Sequence, residues 1–435
     1  HTFATSPVVN TGVFLTLPTA DGSSGQVVTT NGSGVLSFAA ATVADDSITL
    51  AKMAPGTDGN IISYDTSGNP VAVATGNDGQ VLTSAGAGAV PTFETLNVTP
   101  AAGSITTAQL AYDPNPFRNI VINGDMNIAQ RATSVTGITS STFNTVDRFG
   151  TGASTAGTWT QSQSTDVPSS QGFATSLKMD CTTANASLSA SSRLQIYQKF
   201  EGQNLQYLKK GTSSAESLTC SFWVKSNKTG TYIAELYDSD NTRHIAKSYT
   251  ISNANTWEKK TITYAGDTSG ALTNDNGESL IIYFWLVAGS TFASGTLATS
   301  WSSITNANRA AGQVNLADST SNDWYITGVQ LEASTVESEF EFLPFDVNLL
   351  RCQRYFYVHT GTQAYYTGVN RGDSYNIYEN SFPVQMRAAP SLTEFSNGGI
   401  SGWSLGNATN QLLPAYKAPA SSSRFPPSYT ADAEL

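Results

Sequence analysis

Apolar and polar positions alternate with period two over much of the chain, the pattern of strands with one buried face. In Leu218-Thr-Cys-Ser-Phe-Trp-Val-Lys225, Leu218, Cys220, Phe222 and Val224 make an apolar face. Thr219, Ser221, Trp223 and Lys225 make the other. Leu177, Met179 and Cys181 likewise point one way. The stretches from Thr231 to Tyr237 and from Trp257 to Tyr264 read as neighbouring strands. The run from Leu280 to Val287 is apolar on both faces, which predicts a central strand, and Trp324 to Leu331 closes the set. Turns such as Asp267-Thr-Ser-Gly270 and Asn274-Asp-Asn-Gly277 separate them. Short strands joined by turns predict an all-β antiparallel sandwich or jelly roll over residues 117–345. One short helix is expected from Asn204 to Lys210, stopped by Gly211.

A different pattern fills residues 1–116. The segment from Gly25 to Phe38 matches that from Gly79 to Phe93: a strand, a Gly-rich turn and a second strand ending in Phe. Each reads as a β-hairpin, and Gly59 to Val71 is a looser third copy. Ser47-Ile-Thr-Leu-Ala-Lys-Met53 and Ser104-Ile-Thr-Thr-Ala-Gln-Leu110 repeat between them. An isolated hairpin is marginal in water. Each has only two or three large apolar side chains, such as Val27, Leu36 and Phe38. Burying one yields ~1.5–3 kcal/mol, against ~1–2 kcal/mol per residue of backbone entropy. Copies of the chain must cover the apolar edges, so a symmetric fibre shaft is expected here, with a Gly/Ser linker as the alternative.

The last stretch, residues 346–435, reads as a small β tip domain rich in Tyr, opening with a short helix near Leu349 that runs into a strand.

Composition follows the same division. Asp, Glu, Lys and Arg make up 13% of the 435 residues, about half the usual share. Residues 1–116 hold eight acids and one base, Lys52, and so carry seven of the eleven excess negative charges. All seven Trp and all three Cys lie in the remainder. An acidic chain lacks the Lys and Arg that neutralise phosphates, so nucleic acid is not an expected partner. Three Cys do not make a disulfide framework, and Cys181 and Cys220 fall on inward faces as core thiols. The longest strongly apolar run, Leu280 to Gly289, is too short to cross a bilayer as a helix, so no membrane insertion is expected. The chain opens on His1 rather than Met, as expected of a processed, truncated or internally numbered chain.

Several motifs follow one another in a definite order. They are Asn119-Ile-Val-Ile-Asn-Gly-Asp-Met-Asn-Ile-Ala-Gln-Arg131, Val146-Asp-Arg-Phe149, Gln198-Lys-Phe-Glu-Gly202, Ser221-Phe-Trp-Val-Lys225, Asn255-Thr-Trp-Glu258, Asp323-Trp-Tyr-Ile-Thr-Gly-Val-Gln-Leu-Glu332 and Arg351-Cys-Gln-Arg-Tyr-Phe356. This string resembles the jelly-roll domain of bacteriophage tail fibres, and the hairpins before it resemble their shafts. The resemblance spans residues 20–360 or so. Phe382-Pro-Val-Gln-Met-Arg-Ala-Ala-Pro390 is similar to segments that follow such jelly rolls. It implies an elongated homotrimeric fibre of the virion, joined to other tail proteins through its N-terminal region. Its implied job is attachment to a host surface polysaccharide or protein receptor. A glycan depolymerase, a head-attached fibre and a bacterial adhesin are the alternatives.

The expected site is a glycan surface, because aromatic faces stack on sugar rings while Asn, Gln, Asp and Lys bond the hydroxyls. Trp223 lies on the non-core face of its strand, and Tyr283 and Trp285 on the second face of theirs. If the strands are adjacent, the three line one sheet face. Tyr365, Tyr366, Tyr375 and Trp403 are the candidates in the tip. Aromatics at a trimer axis have the same sequence pattern, so a subunit-interface reading stands beside the ligand reading. No catalytic residue is assigned, and no cofactor is called for. Asp238, Asp240, Glu337, Glu339 and Glu341 could pair for glycoside cleavage, with turn acids and a solvated strand face as the plainer reading. Asp238-Ser-Asp-Asn241 and Asn274-Asp-Asn-Gly-Glu278 offer oxygen ligands without a full metal-loop pattern, and no metal is assigned.

Overall fold

The structure is a computed structural model, described over residues 8–9, 13–42, 59–95, 117–360, 369–370, 376–395, 403–417 and 428–435. By contact the chain divides into two units, His1–Thr99 and Pro100–Leu435. Regular structure is almost all antiparallel strand.

The first unit carries the expected hairpins. Gln26–Thr30 pairs with Leu36–Ala40, Ile61–Tyr64 with Pro70–Val73, and Gln80–Thr83 with Thr92–Thr95. Each is a separate two-stranded sheet, and a fourth short pair joins Val8–Val9 to Val13–Phe14. The first and third hairpins share one entry turn. In each, a Gln side chain three residues on accepts the N–H of the turn, Ser23 to Gln26 at 2.9 Å and Asn77 to Gln80 at 2.7 Å. Gly22 and Gly76 lie against the rings of Phe38 and Phe93, where a Cβ would come within 2.6 Å. The spacing Gly-x-x-Gly-Gln therefore places glycine under the Phe of each repeat. Large apolar side chains stay in solvent, with Val28 55%, Ile62 52% and Tyr64 65% exposed.

The second unit is built on a sandwich of two sheets. The seven-stranded sheet runs in the order Thr142–Phe143, Gly150–Ser154, Arg193–Glu201, Glu278–Ala288, Gly230–Asp238, Arg243–Ile251, Ser302–Ser303. The six-stranded sheet runs Glu258–Tyr264, Leu218–Ser226, Asp323–Ala333, Ser176–Thr183, Thr158–Ser164, Ser134–Ile138. The core lies between them. Leu218, Cys220, Phe222 and Val224 face Ile282, Phe284 and Tyr249 across it, together with Leu177, Met179 and Cys181. All three Cys are buried and unpaired. The run from Leu280 to Val287 is a central strand, as its two apolar faces require.

Two local expectations change. The strands at Thr231 to Tyr237 and Trp257 to Tyr264 are not neighbours. The first pairs with Arg243–Ile251 through a tight turn, and the second with Leu218–Ser226 in the opposite sheet. The segment from Asn204 to Lys210 is not an α-helix but part of two 3-10 turns, Gly202–Asn204 and Gln206–Leu208. Lys209 takes a left-handed φ of 50° and closes the second turn before any i to i+4 ladder forms.

After the sandwich, Phe345–Gln353 is a helix and Phe356–His359 a strand. That strand pairs with Ser428–Asp432, which also pairs with Ser391–Phe395. A four-stranded sheet joins Val369–Asn370, Asn376–Ser381, Leu412–Lys417 and Trp403–Leu405. The final residues return to the sandwich, where Glu434 pairs with Arg148 and lies 3.4 Å from Arg131.

Candidate functional site

The structure separates the three sandwich aromatics. Trp223 stands on the outer face of the six-stranded sheet, while Tyr283 and Trp285 stand on that of the seven-stranded sheet. Their strands are therefore not adjacent, and the three do not share a face. Tyr365, Tyr366 and Tyr375 lie outside the described residues. Trp403 opens the strand Trp403–Leu405, and its side chain lies outside the described residues.

On the seven-stranded face, Trp285 has no exposed surface. A strap from residue 289 to 314 covers it, with Phe292 at 5.3 Å between ring centroids and Ala310 packed beside it. Beneath the strap lies a buried ionic knot. Trp285 Nε1 donates to Glu235 Oε2 at 2.9 Å, and Arg309 binds both oxygens of the same carboxylate at 2.8 and 3.0 Å. His244 Nδ1 sits 3.0 Å from Glu235 Oε1. Desolvation works against the charge on Glu235, but Arg309, His244 and Trp285 outweigh it and hold the carboxyl below its usual range. Trp285 is thus a fastening for the strap and has no ring face to offer a ligand.

Beside the strap a row of half-buried rings crosses three strands. Phe143 and Tyr197 are 5.9 Å apart, Tyr197 and Tyr283 are 5.8 Å apart, and the Arg309 guanidinium lies 5.3 Å from the Tyr283 centroid. Tyr197 fits because the neighbouring strand carries Gly150, where a Cβ would fall 2.4 Å from the phenol ring. Sequence reasoning singled out Tyr283 but missed Tyr197 and Phe143. The signal was the register Tyr197 to Tyr283 across paired strands, which appears only once the pairing is known.

The six-stranded face carries a second aromatic cluster. Trp257 and Tyr325 meet edge to face at 6.1 Å. Lys225 Nζ lies 4.4 Å from the Tyr325 centroid and 5.5 Å from that of Trp257. Asp166 pairs with Lys225 and accepts Trp257 Nε1 at 3.0 Å. Desolvation opposes its charge, but the Lys225 and Trp257 bonds prevail and lower its pKa. Tyr325 donates its hydroxyl to Asp323 at 3.1 Å, and Lys178 lies 5.4 Å from the same ring. Trp223, half-buried, stands two residues before Lys225 on the same strand face, opposite Lys259 and Thr327. Trp223, Trp257 and Asp166 reach the surface here, while Tyr325 is buried; aromatic rings with ammonium and carboxylate groups beside them are the combination a polyhydroxyl ring requires. Trp257 sits in the quoted Asn255-Thr-Trp-Glu258 motif, which could have marked it.

Several of the acids considered for catalysis or metal have structural partners. Asp238 is buried against Lys210 and accepts from the Asn241 backbone at 3.0 Å. Asp240 accepts from the Thr273 backbone, and Asp275 closes a turn by accepting from Gly277. Glu341 accepts from the backbone of Phe117 and Asn119. Among the described residues, no group of three or more His, Cys, Asp or Glu is placed to hold a metal ion. No helix among them is long and apolar enough to cross a membrane.

No family model matches the chain. No curated protein matches it. Among solved structures, it is similar to the enzymatically active domain of tailspike protein 4 of bacteriophage CBA120, at 15% identity and TM-score 0.26, over 50% of this chain and 22% of the tailspike chain. It is also similar to the carbohydrate-binding module TmCBM61 in complex with β-1,4-galactotriose, at 10% identity and TM-score 0.26, over 50% of this chain and 99% of the module. A third is the family 11 carbohydrate-binding module from Clostridium thermocellum, in complex with a mixed-linked tetrasaccharide, at 12% identity and TM-score 0.23. That match covers 47% of this chain and 99% of the module.

Proposed function

We propose that this chain is a subunit of a phage attachment fibre, a homotrimer that binds host-surface glycan through its sandwich unit. Its N-terminal region would join other virion proteins, and its activity would be binding rather than cleavage. The observation that carries this reading is the set of separate two-stranded hairpins whose Val28, Ile62, Tyr64 and Leu82 stand in solvent. Lone hairpins of this kind are marginal by themselves, and symmetry-related copies cover such edges. The cluster of Trp223, Trp257, Tyr325, Lys225 and Asp166 supports the glycan part.

The test uses the full chain. Light scattering at micromolar concentration should give three times the chain mass, and a monomer would overturn the fibre reading. Labelled protein should bind bacterial surface polysaccharide without creating new reducing ends. Trp223→Ala and Trp257→Ala should each lower that binding and leave the oligomer intact. Loss of the oligomer instead would make this surface a subunit interface.

A further inference from the structure

A cleft of about 300 Å³ opens on the second unit, away from both outer sheet faces discussed above. Phe117, Tyr207, Leu205, Asn204, Arg351 and Arg354 are among its walls. Its volume lies at the lower end of small-ligand sites, about 300–1,000 Å³. Phe117 and Tyr207 are 61% and 49% exposed, an unusual state for aromatic side chains flanking a concavity.

The two arginines differ in what they have left to give. Arg354 donates Nε and Nη2 to Glu201 at 2.8 and 2.6 Å, and Nη1 to the carbonyl of Gln385 at 3.1 Å. Tyr355 donates to the same Glu201 carboxylate. That group is electrically closed. Desolvation opposes the Glu201 charge, yet the Arg354 and Tyr355 bonds hold its pKa below the usual range. Arg351, in the last turn of the helix Phe345–Gln353, makes one hydrogen bond among the described residues. It donates Nη2 to the carbonyl of Asn119 at a long 3.3 Å, and no ion pair holds it among the described residues. Burial lowers its pKa, and the charge of Glu341 offsets part of that. The Glu341 oxygens are themselves occupied by the Phe117 and Asn119 N–H groups. Tyr207 and Arg351 line the same cleft. A guanidinium with unspent donors therefore sits in a cleft beside exposed rings. A planar fork of this kind selects a carboxylate, and the rings suit the apolar face of a pyranose.

We propose that this cleft binds an acidic sugar residue of the uronic acid class, its carboxylate on Arg351 and its ring against Tyr207. The inference rests on the glycan-attachment reading and adds a charge preference to it, at a site separate from Trp223 and Trp257.

The full chain is tested by saturation-transfer NMR with glucuronate, glucose and acetate as probes, and by attachment to bacterial cells. Glucuronate should bind about tenfold or more tightly than glucose, the effect of one charge-assisted pair. Added salt should weaken it. Arg351→Gln should remove the preference, Arg351→Lys should restore part of it, and Tyr207→Ala should weaken glucuronate without changing the thermal melt, since Tyr207 is half exposed. Equal binding of glucuronate and glucose, or glucuronate binding indifferent to Arg351→Gln, overturns the inference. Acetate binding as tightly as glucuronate overturns its sugar part. If cells are bound while glucuronate shows no preference, the cleft inference falls and the attachment reading stands. If the folded protein binds neither cells nor any glycan, both fall.

Discussion

Replacing Glu434 by Gln removes one charge from the second-last residue of the chain and should destabilise the whole sandwich. Arg148 is 1% exposed, and desolvation lowers its pKa. Its guanidinium lies 3.4 Å from the Tyr355 centroid, Nη2 donates to the Lys199 carbonyl at 2.7 Å, and Glu434 supplies its carboxylate. Arg131, close enough to repel it, leans on Glu434 at 3.4 Å and keeps Asp432 at 3.1 Å and Asp147 at 4.0 Å. The variant therefore leaves Arg148 with no carboxylate in ion-pair contact among the described residues, Glu201 and Asp147 acting on it only at longer range. Breaking one side of a buried pair costs ~3–5 kcal/mol, because the remaining charge stays desolvated. At about 2 °C per kcal/mol for a large unit, the melting temperature should fall by roughly 6–10 °C. Tryptophan fluorescence reads this unit alone, since all seven Trp lie between Trp159 and Trp403. Adding Arg148→Met to Glu434→Gln should recover much of the loss, since the buried cation is then gone. A single variant within about 1 kcal/mol of the parent, the range of a surface pair, would refute the reasoning.

Ile62→Ser should shift the proposed trimer towards monomer in sedimentation velocity, with the tryptophan melt unchanged. Each covered copy of that side chain contributes ~1.5–3 kcal/mol. Glu235 has a folded pKa below its unfolded value, so its contribution is present above about pH 4.3 and lost as pH falls through the folded pKa. Glu235→Gln should cost ~3–5 kcal/mol at neutral pH, red-shift the fluorescence as Trp285 loses its strap, and flatten the acid limb of the stability profile. Gly124→Ala puts a Cβ 2.1 Å from the Val329 carbonyl oxygen, a backbone atom, and should lower urea stability by ~1–3 kcal/mol or more.

The inward faces were legible because period two states them directly. Leu218, Cys220, Phe222 and Val224 need no partner to be identified as one face, and Leu280 to Val287 needs none to be central. The hairpins were legible from glycine spacing. Which sheet a strand joins is a long-range property, and alternation carries no information on it. That is why the strands at Tyr237 and Trp257 parted. Trp285 and Tyr283 do lie on the non-core face of their strand, as the pattern requires. The burial of Trp285 was not legible, because its cover comes from a Ser-, Thr-, Ala- and Asn-rich strap with few large apolar side chains. Arg148 and Glu434 stand 286 residues apart, and nothing local to either names the other.

The placement of charge ties these observations together. In the second unit, buried ions come with partners: Glu235 with Arg309, Glu201 with Arg354, Asp238 with Lys210, Arg148 with Glu434. Such knots fix which segment lies over which, because an unpaired buried charge is far costlier than a paired one. Residues 1–116 have a single base, Lys52, for eight acids. They cannot build knots of this kind among themselves, and in the proposed fibre the joining of copies would rest on apolar contact and backbone pairing. The exposed Val28, Ile62 and Tyr64 are the surface available for it. In the proposed fibre the acidic excess would sit outward in solvent, where salt screens it over about 10 Å, and a scarcity of ions along the hairpins suits the packing of one copy against the next.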